Sequence, residues 1–528
     1  MDRQREAERM PRRELAAISG WCYACRMFHS PSTTWALLLL SSVAQAQSDA
    51  GVPSDAHAIE LPAQPNGTAA DRLHWLHQKI EQTLARRSLA EARIGISVAE
   101  IDGGRTVYHR NEEALYNPAS NVKLITTAAA LALLGPEFRF KTTLLAESVV
   151  RGEVTGSLYL QGRGDPSLVT EDLWKMAGDL AAAGVRKING DLAIDDRYFD
   201  EIRVGPGFAM KSEDLPFRAP NGAVSLNYNA CSVHVLAGAK DGAPARVLAE
   251  PASPYLVVVN HTRTVTEGKT KLTIAAHDRE ALTELEVEGQ IRKGDPPQVE
   301  HRRIGHPDLY MAHSFREVLA RRGIKVGGQI VRAATPPAAR PLVTHFSSPL
   351  GVLVRDVNKL SNNFMAEQVL KTLGAETGGT PGTWPKGIAA IGRFLLERLG
   401  LRGDQYQMTN GSGLYDSNRF SPAQIVQLLR TAYHDFRFAA DFVGSLSLAG
   451  ADGTIGHRMN GSSAQRYVRA KTGTLEGVSC LSGYAGAPGR VPLAFSVLMN
   501  QVPESAVGDA RRAQDEIAEA LVTYLQAP

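Results

Sequence analysis

Several patterns that mark common enzyme classes are missing from this 528-residue chain. It has 14 histidines but no His-Glu-x-x-His sequence, and the pair His74-x-x-His77 lacks a third ligand, so we expect no zinc site. It has no Walker A sequence, and Gly162-Arg-Gly164 lacks the third glycine of a dinucleotide-binding loop. We therefore predict chemistry that uses neither a metal nor another cofactor.

The chain also lacks a strong excess of either charge and lacks long apolar runs. The formal net charge is only +3, which gives no reason to expect nucleic acid or a polybasic membrane anchor as a partner. No stretch reaches the roughly 18 apolar residues that a membrane-spanning helix needs. We therefore expect no transmembrane span in the mature chain.

Cysteine is rare as well, with four residues in the whole chain. The pair Cys22-x-x-Cys25 has the spacing of a redox or metal motif, but it falls in a segment that we expect to be removed. Cys231 and Cys480 lie far apart in sequence. We expect them to be two free, buried thiols rather than a disulfide.

The N-terminus has the pattern of an export signal. An arginine-rich stretch precedes the apolar run Trp35–Leu40, and Ala44-Gln45-Ala46 is a small-x-small cleavage pattern. We predict a signal peptide over residues 1–46, a linker over 47–70 and a periplasmic location. The alternative interpretation is a disordered tail.

Hydrophobic periodicity then divides the chain into three parts. Helical and strand patterns alternate over 71–140, and they include an alanine-rich helix at Leu124–Leu134. Short alternating runs separated by turn residues dominate 141–344, with one helix near Tyr310–Arg321. Helical patterns return over 345–528 and are followed by three strands and a last helix.

These three parts predict an α+β architecture. We expect 71–140 and 345–528 to form one domain, a helical cluster with an antiparallel sheet. We expect 141–344 to be a large β-rich insertion with room for two subdomains. The last helix, near 506–525, has charged residues on one face and is predicted to pack on the sheet.

Ser120 and Lys123 are three residues apart at the start of the alanine-rich helix, so their side chains can meet on one face. A serine hydroxyl is a weak nucleophile until a base takes its proton, and a lysine can be that base if burial or a nearby cation lowers its pKa. The structural interpretation is that Ser120 caps the helix and Lys123 is solvated.

Ser361-Asn362-Asn363 lies between two predicted helices. In a serine acyl-transfer site, Ser361 could relay a proton to the leaving nitrogen and Asn363 could bind a substrate amide. Serine and asparagine are also common in caps and loops, so the motif alone has a structural interpretation.

Lys471-Thr472-Gly473-Thr474 continues a predicted strand. Lys471 and the hydroxyls of Thr472 and Thr474 could hold a carboxylate, and we expect Gly473 to let a substrate backbone approach the strand. The N–H groups of Thr474 and Ser120 could form an oxyanion hole. The alternative is an ordinary edge strand with a basic residue.

The order of the three motifs and the segments around them resemble one known family. These segments are Asn117-Pro-Ala-Ser-Asn-Val-Lys, Gly162-Arg-Gly-Asp-Pro-Ser-Leu, Ser225-Leu-Asn-Tyr-Asn, Asn410-Gly-Ser-Gly-Leu and Arg469-Ala-Lys-Thr-Gly-Thr. They are similar to segments of the D-alanyl-D-alanine carboxypeptidase/endopeptidase family, the penicillin-binding protein 4 type of peptidase family S13. The 241 residues between Ser120 and Ser361 far exceed the separation in serine β-lactamases, which lack the insertion.

The resemblance implies a set of roles. Ser120 would be the acylated serine, Lys123 its base and Ser361 a proton relay, while Asn363 and the Lys471–Thr474 strand would bind substrate. The substrate would be a peptidoglycan peptide that ends in D-Ala-D-Ala, or a D,D-crosslink, and β-lactam antibiotics would acylate the same serine.

Two further positions, Asp165 and Arg419, are implied as contacts to the peptide side chain, although either residue could equally be part of a turn. The chain has Gly162-Arg-Gly where the family usually has a run of glycines. It has Gly413-Leu-Tyr-Asp-Ser-Asn-Arg where serine and arginine more often follow the leucine. Both departures concern side-chain specificity rather than acylation.

Two other functions share parts of this pattern. A serine β-lactamase has the same three motifs, and rapid deacylation of penicillin would identify it. A non-catalytic peptidoglycan-binding protein could keep the fold, but such a protein has no need of Ser120, Lys123 and Lys471 together.

Overall fold

The computed structural model describes residues 65–211 and 213–528. The predicted signal peptide, most of the predicted linker, Cys22 and Cys25 lie outside the described residues. No helix in the described part of the chain is long and apolar enough to cross a membrane.

The helices of the described residues are numbered α1 to α10 in chain order. They are α1 Ala69–Leu84, α2 Val122–Leu134, α3 Thr170–Ala182, α4 Pro307–Arg321, α5 Leu350–Lys359, α6 Asn363–Gly378, α7 Trp384–Leu399, α8 Pro422–His434, α9 Ala439–Ser445 and α10 Val507–Gln526. The prediction of one helix in 141–344 is wrong, because α3 lies there as well as α4. Its buried Leu173, Met176, Ala177 and Leu180 have helical spacing that could have been found in the sequence.

The strands are numbered β1 to β21 in the same way. The first eleven are β1 Arg93–Glu100, β2 Thr106–Arg110, β3 Lys141–Ala146, β4 Val149–Val150, β5 Glu153–Val154, β6 Leu158–Gly162, β7 Lys187–Ile188, β8 Leu192–Asp195, β9 Ala230–Leu236, β10 Arg246–Glu250 and β11 Leu256–Val265. The others are β12 Lys271–Asp278, β13 Thr283–Arg292, β14 Gln298–Arg303, β15 Lys325–Val326, β16 Ile330–Arg332, β17 Arg340–Phe346, β18 Ser447–Leu448, β19 Val468–Leu475, β20 Val478–Ala485 and β21 Leu493–Asn500.

A six-stranded sheet joins the two ends of the described chain. Its order is β18-β19-β20-β21-β1-β2, and every neighbouring pair is antiparallel. On this sheet α10 packs through the buried Gln514, whose Nε2 donates to Ser479 Oγ of β20 at 3.0 Å. The α+β fold class is thus confirmed, and the last helix packs as predicted.

Strands β3 to β17 form four smaller sheets, which contain parallel as well as antiparallel pairs. All of these strands lie between Lys141 and Phe346. Most of them share a hydrophobic core with α3 and α4, whereas α2, α5, α6, α7, α8 and α9 contribute to a separate core. The division of the chain into a discontinuous domain and an insertion stays a prediction.

Helix α2 lies in the middle of the helical core. From Val122 to Leu131 every one of its residues is buried, and the small run Ala128–Ala130 lets neighbouring helices approach. The helix ends at Gly135, which has a positive φ of 85°. A buried helix of this kind gives the residues at its N-terminus a rigid support.

Candidate active site

Ser120 lies in a short 3-10 turn, Ala119–Asn121, that runs directly into α2. The preceding loop is held by Asn117, whose Oδ1 accepts from the N–H of Ala119 at 2.9 Å. On the other side, Asn121 Nδ2 donates to Ser482 Oγ of β20 at 3.0 Å. The serine is therefore fixed between the helical core and the six-stranded sheet.

Two glycines allow this turn to pack closely. A Cβ atom at Gly413 would lie 1.9 Å from the carbonyl oxygen of Ala119, and one at Gly473 would lie 2.6 Å from the carbonyl oxygen of Pro118. Both distances are far below van der Waals contact. Gly473 therefore makes room for the segment that carries Ser120, and the expectation that it also lets a substrate backbone approach the strand stays a prediction.

Lys123 is the second residue of α2, three residues after Ser120, and it is completely buried. Its Nζ lies 3.0 Å from Ser120 Oγ, 2.7 Å from Asn363 Oδ1 and 2.6 Å from the carbonyl oxygen of Ser412. Burial, and next the charge of Lys471, hold the pKa of Lys123 well below its usual range, while Glu367 opposes the shift. These contacts rule out the solvated-lysine interpretation and fit a lysine that can be neutral beside the serine.

Ser361 and Lys471 form a second pair. Ser361 lies between α5 and α6 with a positive φ of 57°, which is unusual for a residue other than glycine. Its Oγ accepts from Lys471 Nζ at 2.9 Å. Lys471 is also fully buried, and burial lowers its pKa to about 7.

The neighbours of Ser361 have separate tasks. Asn362 is the N-cap of α6, and its side chain accepts from the N–H of Met365. The structural interpretation of the motif is thus correct for this residue. Asn363 instead points its Oδ1 at Lys123 and donates through Nδ2 to the carbonyl oxygen of Phe217 at 3.0 Å.

Strand β19 has an edge that β18 covers only in part, because β18 pairs with Arg469 and Ala470 alone. The carbonyl of Val468 points to that edge, where it accepts from the N–H of Ala449. Since the backbone groups of a strand alternate in direction, those of Thr472 and Thr474 point to the same edge, beyond β18. Hydrogen-bonding groups are thus available where the predicted substrate strand would lie.

The two threonine side chains differ in their surroundings. Thr472 is partly buried, and its Oγ1 lies 2.9 Å from Thr454 Oγ1, while Lys471 Nζ donates to its carbonyl oxygen at 2.8 Å. Thr474 is exposed. Thr474 is therefore the more open of the two residues, whereas the hydroxyl of Thr472 already has a partner.

Asp165 is buried in a turn, and its contacts lie apart from the residues around Ser120. Its Oδ1 accepts from the N–H and Oγ of Ser167 at 2.9 and 2.8 Å, and its Oδ2 lies 3.5 Å from His345 Nε2. These contacts support its interpretation as a turn residue.

Arg419 pairs with Asp416 at 2.7 Å. Asp416 in turn accepts from Asn117 Nδ2 at 3.0 Å, so Arg419 is linked to the loop that precedes Ser120. Hydrogen bonding by Arg419 lowers the pKa of Asp416.

Two residues that sequence reasoning did not single out complete the surroundings of Lys123. Ser412 contributes its carbonyl oxygen, and Glu367 contributes a buried carboxylate that accepts from the N–H of Ser412 at 2.7 Å. Glu367 follows Asn363 by four residues on α6, which places the two side chains on the same face. That spacing was the available signal.

Taken together, these side chains define a class of site. A serine hydroxyl contacts a buried lysine, a second hydroxyl contacts a second buried lysine, and no histidine takes part in these contacts. This arrangement fits nucleophilic acyl transfer in which lysine replaces histidine as the base.

Comparison with known proteins identifies the family. The model of the D-Ala-D-Ala carboxypeptidase 3 (S13) family matches residues 76–521. A D-alanyl-D-alanine carboxypeptidase of Actinomadura sp. (strain R39) is 35% identical over 487 residues, which cover 88% of this chain and 88% of that protein. The chain therefore belongs to the S13 family and is a hydrolase of the serine peptidase type, as the motifs predicted.

Solved structures agree with this fold. The crystal structure of penicillin binding protein 4 (dacB) from Haemophilus influenzae has a TM-score of 0.72 and 24% identity, and the match covers 83% of this chain and 97% of that one. A structure of the same protein complexed with a novel β-lactam has a TM-score of 0.67 and 23% identity, over 83% and 98% of the two chains. At these identities, the likeness shows a common fold.

Proposed function

We propose that this enzyme cleaves D-Ala-D-Ala termini or D,D-crosslinks of peptidoglycan peptides through an acyl-enzyme on Ser120. The observation that carries the proposal is the 3.0 Å contact between Ser120 Oγ and the Nζ of the fully buried Lys123. A buried lysine beside a serine, with its pKa lowered, meets the requirement for a base that acts without histidine.

Acylation begins when neutral Lys123 takes the hydroxyl proton of Ser120. Ser120 Oγ then attacks the carbonyl carbon of the penultimate D-Ala, and the carbonyl oxygen becomes an oxyanion between the N–H groups of Ser120 and Thr474. One such donor is typically worth about 10²–10³ in rate. Ser361 passes its hydroxyl proton to the departing amine and takes one in turn from Lys471, whose Nζ lies 2.9 Å away, so the peptide bond breaks as the ester bond forms.

Lys471 has two tasks in this scheme. Its contact with Ser361 positions the hydroxyl that protonates the leaving amine. When protonated, it also attracts the terminal carboxylate of the substrate, which lies along the free edge of β19. Water then hydrolyses the ester and regenerates Ser120.

A β-lactam would be a substitute substrate for the same serine, because its strained amide presents a carbonyl carbon to Ser120 in the same way. The β-lactam complex of the Haemophilus influenzae protein, which has the same fold, supports this part of the proposal. The expected product is a covalent penicilloyl adduct.

The decisive experiment is labelling by a fluorescent penicillin, with intact-mass analysis of the adduct. Native protein should gain one penicilloyl group, Ser120→Ala should gain none, and the matched control Ser253→Ala should label like the native protein. A native protein that takes no label would refute the enzyme mechanism. A Ser120→Ala variant that labels normally would refute the assignment of the nucleophile.

Two further measurements separate the alternatives. The lifetime of the penicilloyl adduct distinguishes a peptidase, whose adduct should persist, from a β-lactamase, which should release it rapidly. Hydrolysis of a tripeptide ending in D-Ala-D-Ala and of a crosslinked dimer then decides between carboxypeptidase and endopeptidase action. A protein that binds these peptides without cleaving them would be the non-catalytic form.

The proposed location is the periplasm, with residues 1–46 as the signal peptide. Support comes from the arginine-rich stretch, the apolar run and Ala44-Gln45-Ala46. N-terminal sequencing of the exported protein should begin at Gln47. A mature protein that retains residues 1–46 would contradict this proposal.

A further inference from the structure

Glu367 is a completely buried carboxylate whose hydrogen-bond partners are all donors. Its Oε1 accepts from the N–H of Ser412 at 2.7 Å, and its Oε2 accepts from the N–H of Gly411 at 3.0 Å and from Trp384 Nε1 at 2.8 Å. A backbone N–H and an indole N–H can only donate, so none of these three groups could receive the proton of a neutral carboxylic acid. The pattern is that of an ionised carboxylate.

The backbone that Glu367 holds is also the backbone that contacts Lys123. Ser412 donates its N–H to Glu367 and accepts from Lys123 Nζ through its carbonyl oxygen at 2.6 Å. Asn363, one turn earlier on α6, accepts from the same Nζ at 2.7 Å. Helix α6 therefore fixes Lys123 directly through Asn363 and indirectly through Glu367 and Ser412.

The loop that transmits this contact has little freedom to move. Asn410 Oδ1 accepts from the N–H of Gly413 at 2.9 Å, and Gly413 packs against the carbonyl of Ala119. A displacement of Gly411 and Ser412 would therefore change the contact to Lys123 and the packing beside Ser120 together. Such a loop needs an anchor, and Glu367 supplies two of its backbone hydrogen bonds.

Two charged groups face Lys123 in the interior, Lys471 from β19 and Glu367 from α6. Burial, and then Lys471, lower the pKa of Lys123, whereas Glu367 raises it. A general base works best when its pKa lies near the working pH, because a base with a very low pKa accepts a proton weakly. The charge of Glu367 therefore limits the loss of basicity that burial imposes.

We propose that Glu367 is a positioning residue for acylation, which anchors Gly411 and Ser412 so that the Ser412 carbonyl holds Lys123 against Ser120, and which faces that lysine as its buried counter-charge. Glu367 does not touch the reacting atoms and acts through its neighbours. The inference rests on the role of Lys123 as the base under the proposed function.

The test is the pH profile of the second-order acylation rate by a fluorescent penicillin, for the native protein, Glu367→Gln and Glu367→Asp. Glu367→Gln removes the charge and turns an NH₂ group toward a donor. Its maximal rate should fall at least about tenfold, since small misplacements of catalytic groups carry costs of this size. Its acid limb should also move to lower pH, because Lys123 loses the group that raises its pKa.

Glu367→Asp separates the two effects. It keeps the charge but is one methylene shorter, so its maximal rate should fall while its acid limb stays near the native position. The matched control is Glu376→Gln on the same helix, where the carboxylate accepts from Tyr198 OH at 2.5 Å. This control should have the native profile.

Each outcome decides the inference. A Glu367→Gln protein with a native maximal rate, or with a lower rate and an unmoved acid limb, would overturn it. If Glu367→Gln does not fold by circular dichroism, Glu367→Asp remains the test, and a native maximal rate for that variant would also overturn it. Failure of the native protein to be acylated would instead refute the proposed function.

Discussion

Two regions of this molecule hold completely buried lysines, and they treat the positive charge in opposite ways. Near Ser120, the hydrogen bonds of Lys123 and Lys471 go to hydroxyl, amide and carbonyl oxygens. Where α6 meets the 199–203 segment, Lys371 Nζ lies 2.6 Å from a carboxylate oxygen of Asp200 and 4.2 Å from the centre of the Trp384 ring.

The two regions differ in the hydrogen-bond partners of their lysines, not in how deeply those lysines are buried. Burial lowers the pKa of all three lysines, but at Lys371 the hydrogen bond that its Nζ donates to Asp200 opposes the shift. Neutral acceptors leave a buried lysine free to lose its proton, whereas a carboxylate and an aromatic ring hold it as an ammonium ion. In this molecule, the two buried lysines of the candidate site are the ones that have no direct hydrogen bond to a carboxylate.

The largest effect on the acylation rate is expected when one lysine is removed from each region in turn. Lys123→Met should slow acylation by fluorescent penicillin by about 10²–10⁴-fold, the usual contribution of a general base. The matched variant Lys371→Met should keep the native rate within about threefold, because it supplies no group to the reaction. A Lys123→Met protein that labels as fast as the native one would contradict the assignment of the base.

The next effect concerns stability rather than rate. Asp200→Asn leaves the buried ammonium of Lys371 without its carboxylate, and loss of one partner of a buried ion pair typically costs about 3–5 kcal/mol. Urea unfolding should show this loss in the free energy of unfolding, while the acylation rate stays near native. An unchanged free energy of unfolding would mean that Lys371 does not depend on Asp200.

A smaller effect should follow from the pKa of Lys471, which burial lowers to about 7. Above that pH the free enzyme loses the positive charge that attracts the terminal carboxylate, so kcat/KM for a peptide ending in D-Ala-D-Ala should fall. Lys471→Met should lower it by about 10- to 100-fold, the worth of one hydrogen bond to a charged group. A peptide with a terminal amide is the control, because it should show neither the dependence on this charge nor the decline above that pH.

The smallest effect is expected at Asp165. Burial by itself would lower the pKa of His345, but the hydrogen bond to Asp165 raises it above its ordinary value. The pair therefore stabilises the protein most below the ordinary pKa of histidine, and this contribution is lost as the pH rises through the raised value.

Asp165→Asn should accordingly lower Tm more at pH 5 than at pH 8 and leave kcat/KM unchanged. This outcome would support the interpretation of Asp165 as a turn residue. An increase in KM without a loss of stability would instead restore its predicted role in binding the peptide side chain.

Local spacing made much of the site predictable. Ser120 and Lys123 are three residues apart on a helix, and the Lys471 strand alternates as a strand should, so both segments could be placed from the sequence. The contact of Lys123 with the Ser412 carbonyl joins two segments that are 289 residues apart, and no local pattern contains it. Glu367 anchors the same loop, so its role could not be predicted before the fold placed that loop beside Lys123.

Other features were missed for different reasons. Helix α3 has ordinary helical spacing and was overlooked among the strands around it. The close packing at Gly473 could not be inferred from the sequence. The carbonyl oxygen of Pro118 leaves no room for a Cβ atom there, and only the fold brings Pro118 to β19. The surroundings of Asp165 likewise include His345, which lies far away in the sequence and is brought close only by the fold.

The position of β1 in the six-stranded sheet has a consequence for synthesis of the protein. Strand β1 lies between β2 and β21, so one of its partners is synthesised long after β1 itself. Lys471 and Thr474 belong to the same late strands, and the sheet that supports Ser120 is incomplete until they arrive. A nascent chain that has not yet reached β19 and β21 therefore lacks Lys471 and part of the sheet beside Ser120, so we expect no acylation from it.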